Sequence, residues 1–92
     1  MSGSIYIAEV IIDPPIEAKI QGKHNLTAAQ VREAIQYPAK AESAFDSNEE
    51  HGPRWLVVGE CDGRSIVAAV LPVPSYEGPN AETWVLKTAR WV

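Results

Sequence analysis

Residues 54–73, RWLVVGECDGRSIVAAVLPV, decide the fold because two β-rich runs flank the dipeptide Asp62-Gly63. Asp-Gly between apolar runs is a strong signal for a β-hairpin with a two-residue turn. Such a turn sets the strand register, so we predict that Cys61 lies opposite Arg64 and that Leu56 lies opposite Ala69. The pattern therefore predicts an antiparallel hairpin formed by residues 54–60 and 65–73.

The segment before this hairpin begins with a β-branched run and continues with a helical pattern. Residues 5–12, IYIAEVII, predict a first strand that stops at the prolines following Asp13. Ile16 and Ile20 are four residues apart, and Pro15 stands at a permitted first helical position. We therefore predict a short helix over residues 16–21 that ends at Gly22.

A second helix has the clearest start signal in the chain. Thr27 can cap the helix while Gln30, three residues later, returns a hydrogen bond to the cap residue. Leu26 and Val31 occupy the positions at which apolar side chains pack across a helix start. The apolar residues then recur at helical spacing, and a proline forces the end near Tyr37. This pattern predicts an amphipathic helix of about three turns that packs on the sheet.

The remaining segments complete a sheet. Residues 39–53 are polar and acidic, with a short strand predicted at 41–45 and a turn or mobile loop at 46–50. Prolines and glycine mark a loop from Pro72 to Pro79, and residues 82–89 predict a last strand. The order indicates an α+β fold of one domain over residues 1–92. We expect one or two N-terminal helices on a mostly antiparallel sheet of four to five strands.

The composition limits the classes of protein. With 92 residues, 46% hydrophobic and 22% charged, the chain is typical of a small globular domain. No apolar run approaches the roughly 18–20 residues of a membrane helix, and the N-terminus lacks a basic signal-peptide start, so we expect a cytoplasmic protein. The single cysteine, Cys61, excludes an internal disulfide. The net charge of −4 argues mildly against sequence-independent binding of nucleic acid.

Candidate chemical residues are few. His24 stands between the two helical segments and could accept and donate a proton near neutral pH, although a lone loop histidine more often caps or packs locally. No glycine-rich phosphate loop, HExxH motif or serine-centred elbow is present, so we expect neither a metal nor a cofactor. The three tryptophans could stack on bases, but a role in the core is the more common one.

The β-rich half contains four cations: Arg54, Arg64, Lys87 and Arg90. Guanidinium groups bind phosphate and can stabilise the charge that develops on phosphorus during cleavage. The alternative is that these cations are solvated charges paired with neighbouring carboxylates. A two-residue turn places Arg54 and Arg64 on opposite faces of the sheet, and Lys87 and Arg90 also differ in parity unless a bulge intervenes. Only some of the four can therefore share one site.

The order of these motifs resembles the BrnT family of type II toxins. The similarity spans about residues 10–90 and rests on five segments in the same order. They are Asp13-Pro14, Lys23-His24-Asn25-Leu26-Thr27 before a helix with Val31-Arg32-Glu33-Ala34, Tyr37-Pro38, Arg54 to Arg64 with its glycine and hairpin arginine, and the terminal Thr88-Ala89-Arg90. Asn25 stands where the family usually has glycine, and asparagine also tolerates a left-handed conformation. The Pro72–Pro79 segment is longer than the family's hairpin.

The resemblance implies a RelE-like fold and a metal-free endoribonuclease held inactive by a cognate antitoxin, within which complex the chain can form homo-oligomers. Lys23 and His24 match the family's Lys-His pair, and Arg64 and Arg90 match its hairpin and closing arginines. His24 would then accept the proton of the ribose 2′-hydroxyl, and Arg64, Arg90 and Lys23 would stabilise the charged transition state. The alternative is a non-catalytic protein-interaction module with the same fold, so whether the chain is an enzyme stays open.

Overall fold

The computed structural model describes residues 2–3, 5–37, 41–48 and 52–92. In these ranges the elements follow one another as β1 (Ser2–Gly3), β2 (Glu9–Ile11), α1 (Pro14–His24), α2 (Ala28–Ile35), β3 (Glu42–Asn48), β4 (Gly52–Cys61), β5 (Arg64–Val73), a 3₁₀ segment (Ser75–Asn80) and β6 (Thr83–Trp91). The strands form one sheet in the order β1-β3-β4-β5-β6-β2, antiparallel except where β2 runs parallel to β6. The predicted α+β class, with two helices on a mostly antiparallel sheet, is confirmed. The two-residue edge strand β1 is the strand that the sequence did not predict.

The hairpin of β4 and β5 forms as predicted. Asp62 and Gly63 have φ angles of 54° and 78°, the left-handed values that a two-residue turn of this type requires. Cys61 pairs with Arg64 across the turn, and the same register continues along both strands. Each strand is ten residues long. The turn residues alone were therefore enough to predict the register.

The start of α2 also agrees with the sequence. The Thr27 hydroxyl accepts a hydrogen bond from the Gln30 amide at 3.2 Å, and the Gln30 side-chain oxygen accepts one from the Thr27 amide at 2.9 Å. Leu26 and Val31, which flank this capping box, are both fully buried. The helix therefore enters the core at the position that its cap and its apolar residues set together.

The end of α2 comes earlier than predicted. The helix stops at Ile35 because Gln36 adopts an extended backbone with ψ of 139°. The Gln36 side-chain oxygen then accepts a hydrogen bond from the Val10 amide of β2 at 3.0 Å. The helical pattern predicted that the Gln36 side chain faces solvent. It instead connects the end of α2 to the edge of the sheet.

Helix α1 is longer than predicted. It begins at Pro14, continues through Gly22 and includes His24, so the prediction that Gly22 ends it was wrong. Asn25 ends the helix with a left-handed φ of 52°, and its amide donates to the Gln21 carbonyl oxygen at 3.1 Å. A glycine inside a helix is tolerated at a modest cost, whereas a left-handed residue cannot continue one. His24 consequently lies in the last turn of α1 and not in a link between helices.

The first strand is shorter than predicted. Residues 5–8 do not join the sheet, and only Glu9–Ile11 pairs, in parallel, with β6. The Ile7 carbonyl oxygen accepts a hydrogen bond from the Tyr37 amide at 2.7 Å, and the Ile7 side chain is buried. The β-branched run therefore packs against the end of α2 before it reaches the sheet edge.

Strand β3 extends past the predicted residues 41–45. It runs from Glu42 to Asn48 because it pairs along that length with β4. The turn or loop predicted at residues 46–50 was therefore wrong at 46–48, where cross-strand pairing overrides the polar local sequence. Residues 49 and 50 lie outside the described residues.

The segment from Pro72 to Pro79 is structured. Pro72 is the buried penultimate residue of β5, the bond between Val73 and Pro74 is cis, and the 3₁₀ segment Ser75–Asn80 follows. Strand β6 then starts one residue later than predicted and ends later, at Trp91. The predicted loop is thus a strand end followed by a short helical turn.

Both helices pack on the same side of the sheet as the core. Gly59 of β4 lies directly against the Ala34 carbonyl of α2, and Trp84 of β6 is fully buried, with its indole N–H donating to the Ala81 carbonyl oxygen at 3.0 Å. The commoner expectation for a tryptophan, that it packs in the core, holds at Trp84. None of the helices in the described ranges has the length and apolar character needed to span a bilayer.

The contact at Gly59 generates a stability prediction. A Cβ at this position would overlap the Ala34 carbonyl oxygen, so Gly59→Ala must push the helix away from the sheet. We expect a loss of about 1–3 kcal/mol in the free energy of unfolding, the usual cost of overpacking. The measurement is chemical denaturation.

The matched control is Gly22→Ala, because a Cβ at Gly22 inside α1 would meet no atom within 4 Å. This change should stabilise the protein by about 0.5–1 kcal/mol through helix propensity. Equal effects of the two substitutions would contradict the placement of α2 on β4.

Candidate functional site

Trp91, at the end of β6, contacts one cationic side chain and the end of α1. The Arg64 guanidinium carbon lies 4.2 Å from the centroid of the Trp91 ring, a cation–π contact. The indole N–H of the same ring donates to the Asn25 carbonyl oxygen at 3.4 Å. The hairpin arginine and the end of α1 therefore meet at one aromatic ring.

Lys23 and His24 form the last turn of α1 and directly precede Asn25, whose backbone carbonyl accepts the hydrogen bond from the Trp91 ring. Lys23 is exposed and His24 is half-buried. The carboxyl end of a helix carries a partial negative charge, so two cationic side chains are favourable there. We call Lys23, His24, Arg64 and Trp91 the Trp91 cluster. It contains three of the four residues that the sequence predicted for the site.

Arg90, the fourth predicted residue, lies on the other face of the sheet. It pairs with Val67 of β5, whereas its neighbours Ala89 and Trp91 face the helices together with the core. Arg64 pairs with the buried Cys61 and therefore shares the helix-bearing face. The predicted set is thus divided, because adjacent residues of a strand point to opposite faces.

The face opposite the helices, which we call the open face, carries the other cations. Arg54 of β4 lies on it, as parity predicted. In β6 the register shifts between Leu86, opposite Val70, and Thr88, opposite Ala69, so Lys87 is the extra residue of a β-bulge. The bulge allows Lys87 to share the open face with Arg90, which simple alternation excluded.

Two adjoining depressions run across the open face. The larger has a volume of about 230 Å³ and is lined by Lys19, Pro53, Arg54, Leu71, Lys87 and Thr88. The second, of about 140 Å³, shares Arg54 and Thr88 with the first and extends to Val67 and Arg90. Lys19 was not predicted as a site residue. Only the packing of α1 against β6 brings it beside the strand cations, and no local motif signals that.

Cys61 is the remaining reactive side chain. Its thiol donates to a Glu33 carboxylate oxygen at 3.0 Å, and the residue is 2% exposed. The hydrogen bond to Glu33, burial, and the negative charges of Glu33 and Asp62 raise the pKa of the Cys61 thiol to about 11. A thiol with such a pKa stays protonated near neutral pH, so it does not serve as a nucleophile.

The same three side chains form a set of donor atoms. One ligand atom from each of Glu33, Cys61 and Asp62 lies within 4.8 Å of the others, among the residues that the structure describes. The thiol proton already occupies the space between sulfur and carboxylate. A metal ion would therefore have to displace a proton held by a raised pKa, which weakens binding at neutral pH.

The Cys61 environment generates a prediction in two parts. Glu33→Gln removes the negative charge beside the thiol and weakens the hydrogen bond that is the largest cause of its raised pKa, so the thiolate absorbance should appear at lower pH than in the unchanged protein. Because the folded pKa exceeds the ordinary value of 9.0, the thiol stabilises the fold below that pH, and this contribution is lost as pH rises towards 11. Ultraviolet titration measures the first effect, and denaturation at a series of pH values measures the second. A titration curve that does not change with Glu33→Gln would contradict the assignment.

Comparisons with protein-family models, with curated proteins and with solved structures found no match to this chain.

Proposed function

We propose that the chain is a toxin-like endoribonuclease of a type II toxin-antitoxin system, which cleaves RNA without a metal ion. One observation carries the proposal: Arg64 and the turn that bears His24 meet at the Trp91 ring. The sequence resemblance to BrnT toxins selected Lys23, His24 and Arg64 independently of this geometry. A proton acceptor and two cations at one end of the fold are the groups that metal-free RNA cleavage requires.

The chemistry follows from these groups. His24 accepts the proton of a ribose 2′-hydroxyl, and the oxygen attacks the adjacent phosphorus. The bond from phosphorus to the 5′-oxygen breaks, and that oxygen takes a proton from water, leaving a cyclic phosphate and a 5′-hydroxyl. Arg64 and Lys23 stabilise the negative charge that grows on the phosphoryl oxygens. Contact with Trp91 restrains the Arg64 side chain, so less entropy is lost when it binds phosphate.

We assign Arg90 a smaller role than Arg64 in this reaction. It follows Ala89 on β6 and precedes Trp91, but it projects on the open face, away from Arg64. We therefore expect the removal of Arg90 to reduce activity less than the removal of Arg64. The proposal also includes a cognate antitoxin encoded beside the toxin, action in the cytoplasm, and homo-oligomers within the antitoxin complex.

A second candidate function is a non-catalytic protein-interaction module with the same fold. The open face favours it, because Val58 and Val73 are 43% and 39% exposed there, and aliphatic side chains form its centre. The net charge of −4 also favours a protein partner over RNA. Activity measurements separate the two candidates.

We predict that purified protein in a metal chelator cleaves single-stranded RNA over many turnovers. His24→Ala should lower the rate by about 10²–10⁴-fold, the usual contribution of a general base. Arg64→Ala should lower it by about 10²–10³-fold through lost charge stabilisation. Arg64→Lys should recover part of this loss, because it restores the charge without the planar contact to the ring. The measurement is the appearance of cyclic-phosphate ends.

The matched control is Arg32→Ala, which removes an exposed cation of α2 outside the Trp91 cluster. Its rate should stay within twofold of the unchanged protein, roughly the effect of a surface charge. In cells, expression of the chain should arrest growth, and His24→Ala should relieve the arrest. The absence of RNA cleavage by a folded, unchanged protein would favour the interaction module instead.

A further inference from the structure

A row of four residues crosses the middle of the open face with one sign of charge at each end. It passes from β3 to β6 through Glu42, Val58, Val67 and Arg90, each paired with the next in the sheet. We propose that the open faces of two copies of this chain pack on each other to form a symmetric dimer. Its two-fold axis runs along the strands, between β4 and β5. The dimer is independent of the ribonuclease chemistry proposed for the Trp91 cluster, which lies on the helix-bearing face.

The two charged ends of the row cannot pair with each other within one chain. Glu42 and Arg90 are both exposed, and two strands lie between them. Because neighbouring strands are about 4.8 Å apart, the two backbones are roughly 14 Å apart. A two-fold rotation about the proposed axis exchanges the β3 side of the face with the β6 side. Glu42 of each copy then meets Arg90 of the other, so one row supplies two contacts between opposite charges.

The same rotation buries the apolar residues between these charges. Val58 of each copy comes to lie over Val67 of the other. Val58 is 43% exposed in the single chain and Val67 is half-buried, so both keep apolar surface in contact with water. Removal of such surface from water is the main source of free energy in protein association.

The next row of the face adds a fit in shape. Leu56 pairs with Ala69, and both line the depression of about 140 Å³ on this face. The rotation places Leu56 of each copy over Ala69 of the other, where the small side chain leaves room for the large one. Sheets that pack face to face interdigitate in this way, with their strands aligned to within about 30°.

The other charges of the face favour a copy of itself over a partner with one sign of charge. Among the described residues, the register and the depressions place four cations and four carboxylates on this face: Lys19, Arg54, Lys87, Arg90, Glu9, Glu42, Asp46 and Glu60. An acidic or a basic partner would meet like charge as well as opposite charge. A second copy carries the same two signs at positions that the rotation exchanges.

The face is also accessible to a second copy. In the described part of the chain no helix covers β4 and β5 here, because α2 packs on the opposite side of β4. Helix α1 contacts β6 and reaches the rim of the face with Lys19, beside Lys87. The proposed axis lies between β4 and β5, in the middle of the six-stranded order, and therefore away from this rim.

Sedimentation equilibrium of the full chain tests the pairing of Glu42 with Arg90. The unchanged chain should form a dimer whose dissociation constant rises with added salt. Glu42→Arg brings arginine opposite arginine, and Arg90→Glu brings glutamate opposite glutamate. Either substitution alone should therefore weaken the dimer by about tenfold or more.

The two-fold symmetry makes a sharper prediction. The double substitution Glu42→Arg with Arg90→Glu restores opposite charges and should recover the dimer. An equimolar mixture of the two single variants should also form dimers. One variant then contributes two positive charges, and both meet the two negative charges of the other.

Arg32→Glu is the matched control, since it reverses an exposed charge on α2 and should leave the dissociation constant unchanged. Circular dichroism checks that each variant is folded. An unchanged chain that stays monomeric at every soluble concentration would overturn the proposal, and so would a dimer that neither single substitution weakens. Failure of both the double variant and the mixture to recover the dimer would also overturn it.

Discussion

The register of the β4–β5 hairpin is the constraint on which the rest of the structure depends. Asp62 and Gly63 both adopt left-handed backbone angles, so the two strands pair without an offset. Because side chains alternate along a strand, this one turn assigns every residue of both strands to a face. Strand β6 takes its own orientation from β5, and the helices follow because only the side with Gly59 admits α2 at close contact.

That assignment separates two groups of cations with different surroundings. Arg64 comes to the helix-bearing face and meets Trp91 together with the end of α1, where a histidine and a lysine are close by. Arg54 and Arg90 come to the open face, around aliphatic side chains. The first arrangement has the groups for phosphoryl chemistry and the second has the character of a protein-binding surface. The proposed ribonuclease site and the open face are therefore separate surfaces of one small sheet.

Parts of the site could be predicted because the signals were local. The capping box at Thr27 and the tolerance of Asn25 for a left-handed angle each depend on a few neighbouring residues, and both are present. The position of His24 was predicted less well, because Gly22 was expected to end α1. The effect of Lys87 could not be predicted, since a bulge arises from the pairing of β5 with β6 and not from the residues of β6 alone.

The sequence by itself determined the α+β class, the hairpin register and the start of α2, because turn and cap chemistry act within four residues. Only the tertiary structure decided that Arg64 stacks on Trp91, that Arg90 lies on the opposite face and that Lys19 of α1 reaches the open face. These outcomes depend on contacts between segments far apart in the chain. A local pattern carries no information on such contacts, because packing and strand pairing select them only after the elements have formed.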